Sequence, residues 1–578
     1  MFCSTPKPST VFANGYLYCH DSLQMGTKKL SIVTLSLFAV IITSCGHRQS
    51  APKEEEIVQR VEELPEVIPE NIADRLQFIA DNKQRMEDTV GVLRMSALEY
   101  YYRQHDNTAQ WSADGRASDA ATQMLSCIER ADEAGLLPGQ YHLRGLSKAM
   151  EQVSADTSAR KNAALWAKID VMMTDAFMKM ATHLHYGMGP RDSVTLRKDS
   201  LFSDTALTQM LDQALQQHNV TAVLHDLEPK YAGYTALKEG LAAFKRAYAG
   251  RSWDTLPQQY TDTLAFKYLL RNRLVQGGYL DTAGRAADTS ILKQGVKAFQ
   301  EAFNMYADGK AGKKTIAMMN RSVADWEAQV AVNFDRWRKL PDSLPSRYIM
   351  VNVPAFKLMV SDSGAVVLES RVIVGSPRNR TPLLNSVMTN FVLFPYWRVP
   401  YSIVFKEMLP AIKRNVGYLA SRNLEVIDHH GDAVDPHTID WSKLDKGHFP
   451  YVLRQMDGVE NSLGVMKFNF MNAYSVYLHD TNSRGLFKNA YRALSHGCVR
   501  VQQWDSLAMY LIRQDTVLHP RDSVRAWLAR EEKKQINFSP RIPIYIRYFS
   551  AEGIDGRLVF HEDIYGEDRR LLRRMGYK

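Results

Sequence analysis

One stretch of this sequence, from 477 to 501, restricts the possible folds of the chain more than any other. It contains His479, then a mostly polar gap, then the tetrapeptide Ser-His-Gly-Cys at 495–498. Apolar and aromatic residues precede His479, and valines follow Cys498. This predicts that the histidine lies at a strand end and the cysteine at the start of another strand or turn. The stretch therefore requires a β-rich domain that brings two strand ends together.

The chemistry of this stretch is that of a reactive thiol. A free thiol is only a few per cent thiolate at neutral pH, and a nearby histidine raises that fraction by taking the proton or by stabilising the anion. Gly497 has no side chain, so an acyl carbonyl can approach the backbone amides that would stabilise its oxyanion. The pattern indicates that Cys498 is a nucleophile and that His479 is its base.

Length and composition limit the alternatives. A chain of 578 residues is too long for one core and predicts roughly three or four domains. The net charge of +9 fits an acidic polymer, a membrane surface or nucleic acid about equally. No dense cluster of Lys and Arg with interleaved aromatics favours nucleic acid. The five cysteines give no disulfide framework.

The N-terminus has the features of an export signal. Two lysines precede an apolar run at 30–42, which has the length of a signal-peptide core and is short for a membrane span. The run ends in Ile-Thr-Ser before Cys45, which resembles a bacterial lipobox. The resemblance implies that Cys45 is lipidated and anchors the chain. We interpret 1–44 as leader and signal peptide, with Met25 as the true start. An ordinary secretory signal or an uncleaved anchor is the alternative.

The rest of the chain divides by its patterns into a multidomain α+β protein. A charged tether over 45–75 precedes a helical scaffold domain at 76–250, whose strongest helical pattern covers 163–186. A small helical domain at 251–322 and a connecting helix at 323–343 follow. The mostly-β domain covers 344–520 and has an irregular insertion at about 401–463, which we interpret as a lid. Further strands and a basic tail occupy 521–578.

The domain at 251–322 carries a recognisable pattern. A helix with Ala-Phe-Gln at 298–300 is followed by an Asp-Gly turn at 308–309 and a Lys-Thr helix start at 314–315. This order resembles the three-helix peptidoglycan-binding domain found on many cell-wall enzymes. One more helical module with a glycine turn is the alternative.

At 477–501 the chain resembles the L,D-transpeptidases, whose signature is a histidine, a gap and then S/T-H-G-C. The Trp-Arg-Val-Pro segment at 397–400 and the Lys-Phe pair at 467–468 resemble the same family. The resemblance implies that Cys498 is the nucleophile and His479 the base that activates it. It also implies that His496, Gly497 and the Cys498 amide lie on the acyl and oxyanion side, that Ser495 positions the loop, and that Arg500 meets a carboxylate.

The implied reaction has two halves. The thiolate attacks the diaminopimelate carbonyl of a tetrapeptide stem, D-Ala departs, and a thioester remains on the cysteine. The amine of another stem then attacks the thioester and forms a 3→3 crosslink. Water instead of the amine would make the protein a carboxypeptidase. The resemblance implies no metal or organic cofactor, and it implies acylation by carbapenems. The partners expected are peptidoglycan stems and a membrane through the lipid anchor, with no nucleic acid. The location expected is the periplasmic face of the cell envelope; Gly46 favours the outer membrane over the inner one.

Three other interpretations stay open. A lipid-anchored wall-binding scaffold without activity would be expected to have lost Cys498 or His479, and both are present. A papain-like cysteine hydrolase would carry the cysteine on a helix, whereas the valines after Cys498 favour a strand. A zinc site with His479, His496 and Cys498 lacks a fourth ligand at suitable spacing.

Overall fold

The computed structural model describes residues 51–197, 202–281, 288–303 and 305–577. The predicted leader over 1–44 and the candidate lipidation site Cys45 lie outside the described residues. In the described part of the chain, no helix is long and apolar enough to cross a membrane. The fold is multidomain and α+β, with helices in the N-terminal part and a β-rich C-terminal part.

The N-terminal part is helical, as its apolar periodicity predicts. The predicted helix over 163–186 is confirmed, and it is buried along nearly its whole length because apolar side chains surround it. The Asn162 side chain caps its start by accepting from the amide of Leu165 at 3.2 Å. In chain order the elements are α1 (Leu64–Asp81), α2 (Met95–Gln104), the hairpin β1 (Ser112–Ala113) and β2 (Arg116–Ala117), α3 (Asp119–Glu129), α4 (Leu143–Ala155), α5 (Ala163–Tyr186), α6 (Asp204–Gln216), α7 (Val220–Asp226) and α8 (Ala232–Tyr248).

The predicted tether over 45–75 is too long, because α1 occupies its second half. Leu64, Ile68 and Ile72 recur at four-residue spacing, and all three are buried as α1 packs on α5. Pro65 does not break the helix, since proline in the first turn removes no intrahelical hydrogen bond. The acidic and proline-containing composition concealed this apolar stripe.

Three helices form the small domain: α9 (Thr263–Gln276), α10 (Thr289–Ala302) and α11 (Lys313–Met319). The side chain of Gln300 at the end of α10 holds the following turn. Its Oε1 accepts from the amide of Gly309 at 2.8 Å, and its Nε2 donates to Oδ1 of Asp308 at 2.9 Å. Gly309 has a φ of +72°, which favours glycine. The Ala-Phe-Gln and Asp-Gly patterns are therefore two halves of one hydrogen-bonded turn.

The predicted connecting helix is α12 (Val323–Arg338). Its side chains Trp326, Val330 and Phe334 are fully buried. The helix contacts α5 and α8 as well as later elements of the chain. It therefore packs in the centre of the molecule rather than acting only as a linker.

The C-terminal part is organised around a nine-stranded sheet. Its order is β13-β5-β14-β12-β11-β6-β15-β3-β4, and β4 also pairs with β5, so the sheet closes on itself around an apolar core. In chain order the elements are β3 (Arg347–Asn352), β4 (Lys357–Asp362), β5 (Ala365–Gly375), β6 (Leu384–Leu393), β7 (Trp397–Arg398), α13 (Tyr401–Ile403), α14 (Leu409–Arg414), α15 (Tyr418–Ser421), β8 (Leu424–Ile427), β9 (Ala433–Val434), β10 (Val452–Gln455), β11 (Met466–Phe470), β12 (Leu478–His479), β13 (Ala493–Ser495), β14 (Val499–Val501), α16 (Trp504–Leu511), α17 (Arg521–Ala529), β15 (Lys534–Arg547), β16 (Ala551–Ile554), β17 (Arg557–Phe560) and α18 (Glu567–Met575).

The predicted end of the β domain at 520 is too early. Strand β15 lies inside the sheet, antiparallel to β6 and parallel to β3, where Ile544 pairs with Ile349. Without it, β3 and β6 would each present an unpaired edge. A pairing between positions this far apart in the chain leaves no local signal in the sequence.

The remaining C-terminal elements pack on the helical part. The hairpin β16–β17 contacts α8, and a Cβ added at Gly553 would lie 1.9 Å from the carbonyl oxygen of Ala236. On α18, Asp568 is buried and pairs with Arg336 at 2.7 Å. The predicted basic tail is therefore a helix anchored to α12.

The predicted lid is a subdomain with its own core. Strands β7, β10, β8 and β9 form a four-stranded sheet, and α13–α15 pack on it. A π-helix, Val404–Met408, joins α13 to α14. We call 397–455 the inserted subdomain.

Candidate active site

Strand pairing brings the predicted site residues together. Strands β12 and β14 are parallel neighbours, with Leu478 opposite Val499 and His479 opposite Arg500. Side chains alternate along a strand, so His479 and Arg500 share one face with Cys498. On the other side of β12, His479 pairs with Lys467 of β11. Two cations thus flank the imidazole.

Cys498 is half-buried, with Sγ 4.0 Å from the carbonyl oxygen of Ser475. Burial raises the pKa of its thiol. Hydrogen bonds from the Tyr477 backbone and hydroxyl oppose this rise, as do the charges of Lys467 and Arg500. The thiol is therefore protonated at rest, and Tyr477, Lys467 and Arg500 can stabilise the thiolate when it forms.

His479 is buried and neutral. Burial and the neighbouring Arg500 lower its pKa to about 3, although the carbonyls of Asp480 and Leu463 oppose the shift. Its Nδ1 donates to the carbonyl oxygen of Asp480 at 2.5 Å. This bond fixes the tautomer with the lone pair on Nε2. His479 is thus held in the form that accepts a proton.

Ser495 organises the turn that carries the cysteine. Its buried hydroxyl donates to the Cys498 carbonyl at 2.6 Å and accepts from the Gly497 amide at 3.2 Å. Gly497 has a φ of +123°, and its carbonyl accepts from Oγ1 of Thr381 at 2.8 Å. The Gly497 amide, expected on the oxyanion side, is engaged within the turn. The amide of Cys498 is the one left as the candidate oxyanion donor.

The two remaining predicted residues, His496 and Arg500, differ in exposure and in their partners. His496 is exposed, and its Nε2 lies 2.7 Å from Oε1 of Glu407 in the inserted subdomain. Arg500 is half-buried beside the thiol, and its Nε has no hydrogen-bond partner among the described residues. Burial lowers the pKa of Arg500, and Cys498 opposes that shift. Arg500 is therefore a cation available to an anionic ligand.

A cleft of about 570 Å³ opens next to the thiol. Its size is that of an ordinary small-molecule site. We call it the thiol cleft. It is lined by Lys467, Asn469, Phe470, Met471, Asn472, Ala473, Ser475, Val476 and Tyr477.

Within the described ranges, no set of three or more His, Cys, Asp or Glu side chains is arranged to hold a metal ion.

Sequence reasoning missed several residues that shape this site. The Tyr477 hydroxyl lowers the pKa of the Cys498 thiol, and Lys467 lies with its Nζ 4.2 Å from the centre of the Tyr477 ring. Glu407 reaches the site from the inserted subdomain. Tyr477 could have been found, because it precedes His479 by two positions and so lies on the same strand face. Nothing local indicated Glu407.

Comparisons with known proteins agree with this geometry. Residues 346–517 match the family described as "L,D-transpeptidase catalytic domain", residues 268–319 match the "Putative peptidoglycan binding domain", and residues 96–241 match the "Scaffold domain". A Haemophilus influenzae protein named "Putative L,D-transpeptidase" is 37% identical over 243 residues, which are 42% of this chain and 48% of that protein. The chain thus spans about half the length of the curated relative it matches. Over these three ranges the chain is therefore similar to an L,D-transpeptidase catalytic domain, preceded by regions similar to a peptidoglycan-binding domain and a scaffold domain.

Proposed function

We propose that this protein is a peptidoglycan L,D-transpeptidase that works through a thioester on Cys498. The observation that carries the proposal is the pairing of β12 with β14. It sets the neutral imidazole of His479 and the thiol of Cys498 on one face of the sheet beside a cleft.

In the first half-reaction, Nε2 of His479 takes the proton of Cys498, and the thiolate attacks the diaminopimelate carbonyl of a tetrapeptide stem. The Cys498 amide and the Tyr477 hydroxyl are the nearest candidate donors to the oxyanion. Collapse of the tetrahedral intermediate breaks the peptide bond. The protonated His479 gives its proton to the leaving amine of D-Ala, and the thioester remains.

In the second half-reaction, an amine on another stem attacks the thioester carbonyl. His479 accepts the proton of the attacking amine and returns it to the departing thiolate, which regenerates the free enzyme and leaves a 3→3 crosslink. Attack by water at the same step would give a tripeptide and free enzyme. The scheme requires only protein side chains.

Arg500 is proposed to hold a carboxylate of the substrate. Its guanidinium stands beside the thiol, and its buried Nε has no partner in the described part of the chain. A charge-assisted hydrogen bond to a substrate carboxylate would satisfy that donor and orient the stem.

The inserted subdomain is proposed to exclude water from the thioester. Its Glu407 lies against His496, two residues from the nucleophile. Exclusion of water would favour amine attack over hydrolysis. The subdomain would then decide which acceptor resolves the thioester.

The site of action is proposed from the sequence alone. The predicted export signal and the lipobox-like segment before Cys45 support the proposal of a periplasm-facing lipoprotein. Gly46 favours the outer membrane. Metabolic labelling with a fatty acid, compared between the wild type and Cys45→Ala, tests the anchor.

The activity is tested with purified tetrapeptide muropeptides. The wild type is expected to release D-Ala and to form crosslinked dimers, and Cys498→Ala is expected to do neither. A product of tripeptide without dimers would indicate the carboxypeptidase, and no product at all would indicate the inactive scaffold. Full activity in Cys498→Ala would show that another residue is the nucleophile.

A second measurement identifies the nucleophile directly. The resemblance to L,D-transpeptidases leads us to expect that a carbapenem acylates the thiol. Intact-protein mass spectrometry should then show a single adduct on the wild type that is absent from Cys498→Ala. An adduct on both proteins would contradict the assignment.

A further inference from the structure

A large groove lies between the peptidoglycan-binding domain and the catalytic domain. Its volume of about 1980 Å³ exceeds the usual range of small-molecule sites, about 300–1,000 Å³. One wall comes from α10, α11 and the turn between them, another from β5 and the loop 488–492, and a third from the hairpin β16–β17 and α18. The groove shares no lining residue with the thiol cleft. We call it the interdomain groove.

Lys314 shows how closely the two domains meet at this groove. Its Nζ lies 2.8 Å from Oε2 of Glu562 and 4.6 Å from the centre of the Tyr491 ring. Tyr491 belongs to the loop that connects His479 to Cys498. The floor of the groove is therefore part of the segment that carries the catalytic motif.

Some charged side chains of the groove form ion pairs and others do not. Several of its carboxylates are already paired with a cation: Glu369 with Lys357 at 3.0 Å, Glu562 with Lys314 at 2.8 Å and Asp568 with Arg336 at 2.7 Å. By contrast, Arg371, Lys488 and Arg492 form no ion pair with any carboxylate of the described ranges.

The two arginines of this set also lie close to each other. Arg492 donates to the backbone carbonyls of Val372 and Phe356, each at 3.1 Å, and to that of Asn489 at 2.7 Å, so its nitrogens are engaged while its charge has no counter-ion. Burial, and then the charge of Arg371, lower the pKa of Arg492 to about 10. Two like charges without a counter-ion favour the binding of an anion between them.

We propose that the interdomain groove binds the stem peptides of a peptidoglycan strand, and that Arg371 and Lys488 hold the stem carboxylates beside the positive charge of Arg492. The identity of the polymer rests on the proposed function. The peptidoglycan-binding domain lines part of the groove, and the volume of the groove exceeds that of a single small-molecule site. The carboxylates of the stems complement the unpaired cations.

The groove adjoins the segment of the chain that leads to the nucleophile. Lys488 and Arg492 lie in the segment between β12, which carries His479, and β13, which leads to Cys498. A strand held there is therefore connected to the catalytic motif through this segment. Tethered binding of this kind raises the local concentration of stems at the nucleophile.

The test measures binding to sacculi with full-length protein that carries Cys498→Ala, so that turnover does not affect the result. Arg371→Gln/Lys488→Gln is compared with Arg144→Gln/Lys148→Gln, which removes one arginine and one lysine from the exposed face of α4 outside the groove. Co-sedimentation should show roughly fivefold weaker binding for the groove variant and unchanged binding for the control. Thermal unfolding of both variants checks that they are folded.

Sacculi whose stems have been removed by an amidase identify the ligand. The parent protein should bind these bare glycan strands more weakly than intact sacculi, and the groove variant should bind them as the parent does. Equal binding of intact sacculi by the two double variants would overturn the proposal. If the groove variant loses binding to bare glycan strands as much as it loses binding to intact sacculi, the assignment to stems is overturned. D-Ala release by the wild type is measured separately, so its failure would contradict the proposed function and leave the binding result intact.

Discussion

Tyr477 and Cys498 lie side by side just before the paired strands β12 and β14, where the Tyr477 carbonyl accepts from the amide of Val499 at 3.2 Å. The Tyr477 hydroxyl lowers the pKa of the Cys498 thiol. The Tyr477 ring also lies beside Lys467, whose Nζ is 4.2 Å from the ring centre. The thiolate would therefore form next to a phenol donor and a cation. Both contacts come from strands that precede the S-H-G-C motif in the sequence.

Tyr477→Phe removes this donor and keeps the ring. Because hydrogen bonds to charged groups contribute about 1.5–3 kcal/mol, the pKa of the Cys498 thiol should rise further. Alkylation of Cys498 by iodoacetamide at pH 7 should then slow by about tenfold or more. Tyr474→Phe, on an exposed side chain of the preceding loop, is the matched control. An identical pH profile of alkylation in Tyr477→Phe and the wild type would contradict the role of the hydroxyl.

The pH dependence of acylation should reflect the unusual state of His479. Its pKa of about 3 means that the imidazole stays neutral, and able to accept a proton, well below the usual histidine value. The raised pKa of the thiol moves the alkaline limit upward. The value of kcat/KM for D-Ala release should therefore change by less than about twofold between pH 7.5 and 5. An acidic limb centred near the usual histidine pKa of about 6.5 would contradict this prediction.

Glu407→Gln should remove the charged contact between the inserted subdomain and His496 of the catalytic motif. The Glu407–His496 pair is exposed on both sides, so its loss should cost at most about 1 kcal/mol and leave the fold intact. We expect faster hydrogen exchange in the π-helix, Val404–Met408, and a larger ratio of hydrolysed to crosslinked product. Glu460→Gln, an exposed carboxylate outside this contact, serves as the control. If the product ratio does not move, the pair has no part in excluding water.

The sequence predicted the site better than the fold around it, for a physical reason. His479 and Cys498 lie at short neighbouring strands that can be recognised from the residues next to them in the sequence. The S-H-G-C turn is held by a hydrogen bond within four residues, from Ser495 to Cys498. The insertion of β15 between β3 and β6 and the contact of Glu407 with His496 depend on residues distant in the chain. Neither the periodicity of apolar residues nor the spacing of motifs in the sequence reveals such long-range pairings.

The scaffold domain holds a buried charge cluster that permits a test of its stability. His142 is fully buried, with Nδ1 2.7 Å from Oδ2 of Asp88 and Nε2 2.9 Å from Oδ2 of Asp175. Burial opposes the charged form, but the hydrogen bonds and charges of Asp175 and Asp88 outweigh it and raise the pKa of His142. The cluster joins α4 and α5 to the segment before α2, so it fastens three parts of the domain.

His142→Gln should destabilise the scaffold domain by about 3 kcal/mol at pH 6, because it leaves the buried carboxylate of Asp175 and the half-buried one of Asp88 without their cation. Since the folded pKa lies above the unfolded one, the contribution of His142 is fully present below the unfolded pKa of about 6.5 and is lost as pH rises through the folded pKa. The difference in unfolding free energy between the wild type and the variant should therefore shrink from pH 6 toward alkaline pH. Urea unfolding followed by hydrogen exchange in α5 measures it, with His225→Gln on the exposed face of α7 as the control. A difference that is the same at every pH would mean that His142 is neutral in the folded protein and that its two carboxylates are satisfied in another way.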